Sequence, residues 1–271
     1  MRLRLTVNTA GLVAAALGGV LAGCPRRVPP ADLSRDPAVL MGEVQAAQAR
    51  VRRVHGMARV KISSPGPSGS VTEFVAAEKP DRVRLETLDF FGNPAAVLVA
   101  AGGRFAFLDT RENVFYRGEA TPENVSRLLP VVIPVEELVT ILCGSAPLLP
   151  GKPLEVGIED GLLLLTIGLD EVGQRLAIGE RASVEWSRVR RAAPGGGRDD
   201  AVAYDLAFDR FRERLEARFP LDVRLDAPAG GSRVELTWRE EVDVNGPVDP
   251  KLFEMVPPRN ARVVEVPAIP R

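Results

Sequence analysis

The spacing of apolar and polar residues along the chain changes from a helical to a strand period near residue 56. Asp36 and Pro37 are a favourable helix start, since aspartate accepts hydrogen bonds from the first amide groups and proline fits the first turn. Apolar residues recur behind them at steps of three and four, which predicts a helix over 37–53. After Gly56 apolar and polar residues alternate, and the segment SSPGPSGS at 63–70 separates two alternating runs, which indicates a β-hairpin.

Alternation continues to the end of the chain and is interrupted by two helical segments. A threonine and proline at 121–122 begin a segment to about 129, and a second segment runs from Pro134 to Gly144. A two-residue turn at Gly102-Gly103 joins two apolar runs, and the glycine-containing segments 194–200 and 226–231 are predicted to be exposed hairpin loops. Further strands are predicted at 82–87, 161–169, 174–190 in two pieces, 201–211, 219–226 and 232–242.

About ten to eleven strands with one apolar face each require a second layer or a sheet that curls on itself. The prediction is a mainly β fold, an unclosed and strongly curved antiparallel β-barrel with a helical lid. The apolar helices then cover the mouth of the barrel or fill its interior. A β-sandwich with packed helices is the alternative, and the pattern alone does not separate the two.

The first 24 residues have the pattern of a bacterial lipoprotein signal. Arg2 and Arg4 form a basic start, and the apolar stretch 10–22 is shorter than the roughly 20 residues of a membrane-spanning helix. The sequence Leu21-Ala22-Gly23-Cys24 matches a lipobox, which predicts that Cys24 is acylated and becomes the first residue after cleavage. An ordinary secretory signal or an uncleaved anchor is the alternative.

The predicted organisation is a signal peptide at 1–23, a lipidated cysteine with its tether at 24–35, and a single domain at 36–271. Two or three acyl chains hold a protein firmly on a membrane. The tether contains three prolines and two adjacent arginines just after Cys24, so we expect an extended segment. No acidic residue follows Cys24 immediately, and we therefore expect a periplasm-facing location at the outer membrane.

Composition excludes several classes of partner. Without residues 1–23, the remaining 248 residues carry 33 basic and 36 acidic side chains, a net charge of −3. This balance does not indicate nucleic acid or an anionic surface as a partner. The chain contains only Cys24 and Cys143. An acylated Cys24 leaves Cys143, in an apolar run, without an intramolecular partner, so it is predicted to be a buried small hydrophobe.

Residues of the kind that carry catalysis are sparse. His55 is the single histidine and lies at the helix-to-strand junction without a cysteine or paired carboxylate at ligand spacing, so we expect it to form hydrogen bonds there. The adjacent acids at 199–200 and 240–241 are predicted to be solvated. No phosphate-binding, nucleophile-elbow or zinc-protease motif is present. The sequence therefore predicts no enzyme activity, no cofactor and no metal.

A basic stretch lies on a predicted strand that precedes the loop at 194–200. It is predicted to be a solvated face, with contact to lipid headgroups as the alternative. The stretch consists of Arg188, Arg190 and Arg191.

Three parts of the chain resemble the LolA/LolB family of lipoprotein-sorting proteins, and in particular its lipid-anchored outer-membrane receptor LolB and related bacterial lipoproteins. The first is the opening strand after the helix, and the second is a strand that runs into an apolar-glycine loop followed by two helical segments. The third is a closing strand with a Phe-x-x-x-Pro-Pro segment. These parts are His55–Val60, Asp89–Pro94 with Leu128–Gly144, and Leu236–Pro258.

The resemblance implies an unclosed barrel whose apolar cavity, covered by a helical lid, holds the acyl chains of a passenger lipoprotein. It also implies that an exposed apolar residue before the loop glycine inserts the passenger into the membrane. The matching loop here is Phe90, Phe91 and Gly92, and core packing of the two phenylalanines is the alternative. The expected partners are acyl chains of lipoproteins or other lipids, a periplasmic carrier protein and the membrane surface.

The expected function is therefore binding and outer-membrane insertion of lipoproteins, with a lipid- or partner-binding sensor and an envelope scaffold as alternatives. The lid is assigned to Leu138, Ile141 and Leu142. An error of one residue in a strand would invert the predicted inward face. The predicted cavity-lining residues are Val83, Leu85, Val97, Val99, Phe105, Phe107, Val202, Tyr204, Leu206, Leu221, Val223, Leu236 and Trp238.

Overall fold

A computed structural model describes residues 27–66, 68–191, 201–214 and 217–267. The signal segment, Cys24 and the loop at 194–200 lie outside the described residues. The helices are α1 Pro37–Arg50, α2 Pro122–Val125 and α3 Val135–Leu142. The strands are β1 Arg53–Ser63, β2 Gly69–Glu78, β3 Arg82–Leu88, β4 Pro94–Ala101, β5 Arg104–Asp109, β6 Val114–Glu119, β7 Lys152–Glu159, β8 Leu162–Leu169, β9 Val172–Ile178, β10 Val184–Arg191, β11 Ala201–Arg214, β12 Ala217–Ala227, β13 Ser232–Trp238, β14 Asp243–Val244 and β15 Arg262–Val266.

All fifteen strands of the described residues belong to one curved, unclosed sheet with the order β15-β6-β5-β4-β3-β2-β1-β13-β12-β11-β10-β9-β8-β7, and β14 pairs with β1. The pairing is antiparallel except between β15 and β6, which are parallel. The predicted fold class is confirmed, and the sheet is larger than predicted. The strands without a sequence prediction include β7, the two-residue β14 and the C-terminal β15.

The antiparallel order places the connections between strands at two opposite rims. The upper rim carries the β1–β2, β3–β4 and β12–β13 connections, and the lower rim carries the β2–β3, β7–β8 and β9–β10 connections. In a curled sheet these two sets of strand ends form the two openings of the barrel. A feature on one rim is therefore a full strand length from a feature on the other.

Helix α1 begins as predicted and ends three residues earlier. The Asp36 carboxylate accepts hydrogen bonds from the amides of Ala38 and Val39, both at 3.0 Å, which satisfies two amides of the first turn. Its apolar stripe is buried against the sheet. The helix stops at Arg50 because Arg53 already belongs to β1, where it pairs with Glu78 of β2.

The two later helices are shorter than predicted. At the start of α2, Thr121 Oγ1 accepts a hydrogen bond of 3.2 Å from the Asn124 amide. The chain then turns, so this helix ends at Val125 rather than near 129. Helix α3 is followed by Gly144, whose φ of +80° ends the helical path. Within the described residues no helix has the length and apolar composition needed to span a bilayer.

Candidate functional site

An exposed pair of aromatic rings lies at the upper rim, in the β3–β4 turn. The residues Phe90 and Phe91 are 96% and 85% exposed. Their rings meet edge to face with centroids 5.5 Å apart. The core-packing alternative for these two residues is therefore wrong. Large apolar side chains that remain in water at a loop tip are typical of a contact surface.

The aromatic turn, residues 89–93, is held by a short hydrogen-bond network around Asp89. One carboxylate oxygen accepts hydrogen bonds from the amides of Phe91 and Asn93, both at 2.8 Å. These bonds, with the backbone bond to Asn93 as the largest cause, hold the pKa of Asp89 below its ordinary value. Gly92 takes a φ of +84°, which glycine adopts without strain. The turn thus fixes both phenylalanines outside the core.

The interior face of the sheet is covered by α1 and by the lid, which we define as residues 131–144 and which includes α3. Helix α3 packs against β2 and β3. Of the three predicted lid residues, Ile141 and Leu142 are buried and Leu138 is partly buried in the same core cluster. The apolar side chains of this segment fill the space beneath the helices. The six larger buried members are Val131, Ile133, Val135, Val139, Ile141 and Leu142, and the smaller Cys143 is buried with them.

Two polar contacts connect the end of the lid to α1 and the lower rim. Gln48 Nε2 donates a hydrogen bond of 2.8 Å to the Ala146 carbonyl oxygen. Lys79 Nζ donates one of 2.7 Å to the Gln48 carbonyl oxygen, and burial lowers the pKa of this lysine. Burial also raises the pKa of the nearby Cys143 thiol to about 12. This thiol therefore stays protonated at neutral pH and is not a nucleophile.

Most of the predicted inward residues lie on the buried face of the sheet. Cross-strand partners share a face, and the pairs Val83–Ala100 and Leu236–Val223 have both members in the core cluster. The side chain of Val202 lies outside the described residues. The buried residues on this face are Val83, Phe105, Leu206, Leu221, Val223, Leu236 and Trp238, and the partly buried ones are Leu85, Phe107 and Tyr204.

On β4 the predicted parity is wrong by one residue. Leu98 pairs with Leu85 and Phe107, and Ala100 pairs with Phe105, so these two β4 residues share the inner face. Val97 and Val99 point to the opposite face. Both are still buried, because the short helical turn at Pro250–Phe253 packs over β3 and β4 on that side. A strand covered on both faces has no polar side to show its orientation.

A hollow of about 410 Å³, lined by both apolar and charged side chains, opens on the inner face beside the edge strand β15. This volume is within the range of about 300–1,000 Å³ found for ligand sites. Strand β15, which forms one wall, had no sequence prediction, and the segment after α2, which forms another, was predicted to be helical to about residue 129. The apolar lining residues are Phe105, Phe107, Tyr116, Leu128, Val264 and Val266.

Polar side chains also line this hollow, namely Asp109, Asn124, Arg127 and Glu265. Asn124 lines the hollow, and its Nδ2 donates to the Glu119 carbonyl oxygen at 3.0 Å while its Oδ1 is buried without a hydrogen-bond partner. Glu73 of β2 lies on the inner face, between Ala58 and Thr87 in neighbouring strands. Thr87 Oγ1 donates to its carboxyl group at 3.0 Å, and burial raises its pKa.

A wider concavity of about 800 Å³ lies on the outer face of β9–β13, and charged side chains dominate its lining. Arg188 pairs with Asp205 at 2.7 Å, and Arg210 with Asp222 at 2.5 Å. This surface is water-facing and does not match an acyl chain. The prediction of a solvated face is confirmed for Arg188, whose side chain is exposed.

The remaining sequence candidates form no reaction centre within the described residues. His55 pairs through its backbone with β2 and β14, but its buried Nδ1 has no hydrogen-bond partner, contrary to the predicted hydrogen bonding at the junction. Glu240 pairs with Arg212 and Arg214 on the surface. In this part of the chain no three His, Cys, Asp or Glu side chains come together as a metal site.

The fold, a curved sheet with a helical cover, is similar to that of several solved bacterial structures. No family model and no curated protein sequence matches the chain significantly. A DUF1329 family protein from Desulfovibrio piger is similar with a TM-score of 0.57 and 11% identity over 82% of this chain and 98% of its own. A putative outer membrane lipoprotein-sorting protein domain from Vibrio parahaemolyticus gives 0.56 and 10%, over 79% and 95%. A LolA superfamily protein from Nitrosomonas europaea gives 0.54 and 9%, over 80% and 97%.

Proposed function

We propose that this protein is a non-enzymatic, lipid-anchored protein of the bacterial envelope that binds acyl chains of lipoproteins and helps to insert them into the outer membrane. The observation that carries the proposal is the aromatic turn, which presents Phe90 and Phe91 to solvent at the upper rim of a lid-covered curved sheet. The similarity in fold to solved lipoprotein-sorting and LolA-superfamily structures supports it.

The anchor in this proposal is Cys24, acylated at the lipobox. A lipid-held domain stays close to the bilayer, so a short protruding turn can touch the membrane without a spanning helix. Burying a phenylalanine side chain contributes about 1.5–3 kcal/mol. Two rings at one turn therefore give a weak and reversible contact, which suits repeated delivery. A lipid anchor combined with an exposed apolar turn supports a role like that of the LolB receptor, which the sequence resembles.

Acyl binding requires the lid to move, because the described interior is filled by its side chains. The hollow beside β15 is the place where a chain first enters, since it is already open and lined with aromatic rings. From there the chain replaces lid residues against the inner face. Asn124 and Glu73 are the polar groups that a lipid's linkage region would meet on this face.

The substitution Phe91→Glu tests the membrane contact. We expect the variant to fold normally, because Phe91 is 85% exposed, and to lose transfer of a purified lipoprotein into outer-membrane vesicles. The matched control is Val256→Glu, which places the same charge at an apolar position outside residues 89–93 that is 81% exposed. Equal transfer by the two variants, or unchanged outer-membrane lipoprotein sorting after depletion of the protein, would reject the sorting function.

A partner-binding sensor or scaffold of the same fold is the second candidate, and the filled interior favours it. Native mass spectrometry of the full-length protein, purified from its own envelope, separates the two. Copurifying acylated molecules support the carrier. A ligand-free protein that also fails to take up a fluorescent fatty acid supports the scaffold.

A further inference from the structure

The first described residues of the tether are seated on the lower rim. The Arg27 guanidinium forms two hydrogen bonds to the carboxylate of Glu185 at the start of β10, one of them 2.6 Å between Nη1 and Oε2. Such a two-point guanidinium–carboxylate contact is among the stronger polar interactions and fixes orientation. Arg218 donates a hydrogen bond of 3.3 Å to the same carboxylate, so Glu185 is paired with two guanidinium groups.

Two glycines shape the seat for Arg27. A side chain at Gly161, in the β7–β8 turn, would collide with the Arg27 carbonyl oxygen, and one at Gly179 would collide with the Glu185 carboxylate. Gly161 also has a φ of +75°, which other residues rarely adopt. The absence of side chains at these two glycines therefore leaves space for the tether backbone and for the Glu185 carboxylate. This fit distinguishes the contact from an isolated ion pair between exposed side chains.

The seat and the aromatic turn lie on opposite rims. Glu185, Gly161 and Gly179 belong to the lower-rim connections, whereas Phe90 and Phe91 belong to the upper rim. The eight residues of β10 span about 26 Å at 3.3 Å per residue. Cys24 precedes Arg27 by three residues, so a seated tether lets the cysteine reach only about 10 Å from the lower rim.

Release of Arg27 changes this reach. Pro29 and Pro30 are half-buried and come free together with Arg27. The next described attachment is then Leu33, which packs on the core beside the Ser34 amide, and this amide donates to Glu43 of α1 at 3.1 Å. From Leu33 the nine residues back to Cys24 extend about 30 Å. This length exceeds the strand span, so a released tether lets either rim face the bilayer that holds the anchor.

We propose that Arg27, Glu185, Gly161 and Gly179 form a latch that holds the lipid anchor at the lower rim and turns the aromatic turn away from the anchoring membrane until the tether is released. This rests on the lipidation of Cys24 proposed above. With the latch closed, the turn faces the periplasmic side, where a passenger arrives. With the latch open, the turn reaches the bilayer that receives the passenger.

Limited trypsin digestion of the full-length protein in vesicles tests the latch itself. Trypsin must take the arginine side chain into its own pocket, so a seated Arg27 protects the bond to Val28. In Glu185→Gln we expect the rate of forming the Val28 terminus to rise about tenfold, the factor for losing a charge-assisted hydrogen bond. The control Glu159→Gln removes a neighbouring carboxylate that pairs with Arg175 at 3.4 Å, and it should leave the rate unchanged. Equal rates in the wild type, the control and Glu185→Gln would overturn the latch.

Fluorescence quenching by brominated lipids tests the orientation. The variant Phe91→Trp adds a fluorescent tryptophan at the aromatic turn, and its fluorescence is the emission that exceeds that of the two native tryptophans. This fluorescence should be unquenched while the latch is closed. It should be quenched when Arg27→Gln is added, a change that leaves the Glu185–Arg218 pair intact. Measurable quenching of the same extent with and without Arg27 would overturn the proposal. Absence of quenching in both, with trypsin protection as expected, would retain the latch and reject the membrane contact of the turn.

Discussion

Gly144 ends the lid helix α3 at a position where structure allows only glycine. Its φ is +80°, and its amide donates a hydrogen bond of 2.9 Å to the Ile141 carbonyl oxygen. A Cβ atom there would lie 2.6 Å from Pro220 Cδ and 3.1 Å from the Phe219 ring. Phe219 is fully buried in the core, so it cannot move aside without disturbing its neighbours.

We predict that Gly144→Ala lowers the free energy of unfolding by about 2–5 kcal/mol. Of this, about 1–2 kcal/mol comes from the left-handed backbone conformation of an alanine, and about 1–3 kcal/mol comes from overpacking against Pro220 and Phe219. If 2 kcal/mol of this falls on the lid alone, its open population rises about 30-fold. The variant should then take up a fluorescent fatty acid faster while it remains folded.

Urea unfolding and uptake kinetics measure the two effects in the same preparation. The control is Gly173→Ala in β9, where an added Cβ meets nothing within 4 Å and φ is not positive. A Gly144→Ala variant within about 0.5 kcal/mol of this control would refute the strain argument. A destabilised variant with unchanged uptake would show that the lid does not gate the interior.

Two further substitutions test the polar groups of each face. Burial raises the pKa of Glu73, so its contribution to stability is complete below its ordinary pKa of 4.5 and is lost as pH rises through the raised value. Urea unfolding across this pH range should show that the free energy of unfolding of Glu73→Gln depends less on pH than that of the wild type, and that the variant is the more stable of the two near neutral pH. An unaltered pH profile would contradict the burial argument. On the outer face, Arg188→Ala removes an exposed ion pair with Asp205 and should change the free energy of unfolding by about 0–1 kcal/mol. A larger loss in the same assay would show that this ion pair contributes to stability beyond what an exposed pair provides.

The sequence predicted those helices and strands that are specified by neighbouring residues along the chain. Asp36 and Pro37 located the start of α1, and alternation located most of the strands. The turn at Gly102-Gly103 also contained the information that corrects β4: a two-residue hairpin pairs Ala101 with Arg104, which places Ala100 opposite Phe105. Phe105 and Val99 therefore cannot both face inward. Consistent use of this register would have selected Leu98.

Other features depend on contacts between distant parts of the chain. Strand β15 pairs in parallel with β6 across more than a hundred residues, and no local pattern encodes that choice. The hollow beside it therefore had an unpredicted wall in Val264 and Val266. The seat of Arg27 is likewise non-local, because it depends on turns of the sheet at Gly161 and Gly179. The exposure of Phe90 and Phe91 had a local signal in Asp89 and Gly92, which form the turn.

The filled interior is compatible with a carrier because lid and ligand bury comparable amounts of apolar surface. Moving an acyl chain of about sixteen carbons out of water is worth about 13 kcal/mol at 0.8 per CH₂. The six buried lid side chains, at about 1.5–3 kcal/mol each, contribute about 9–18 kcal/mol. Neither occupant of the inner face is strongly preferred, provided that the displaced lid finds apolar cover. For the proposed carrier, an exchange near balance needs no nucleotide hydrolysis, and we expect its rate to be set by the opening of the lid, whose helix ends at Gly144.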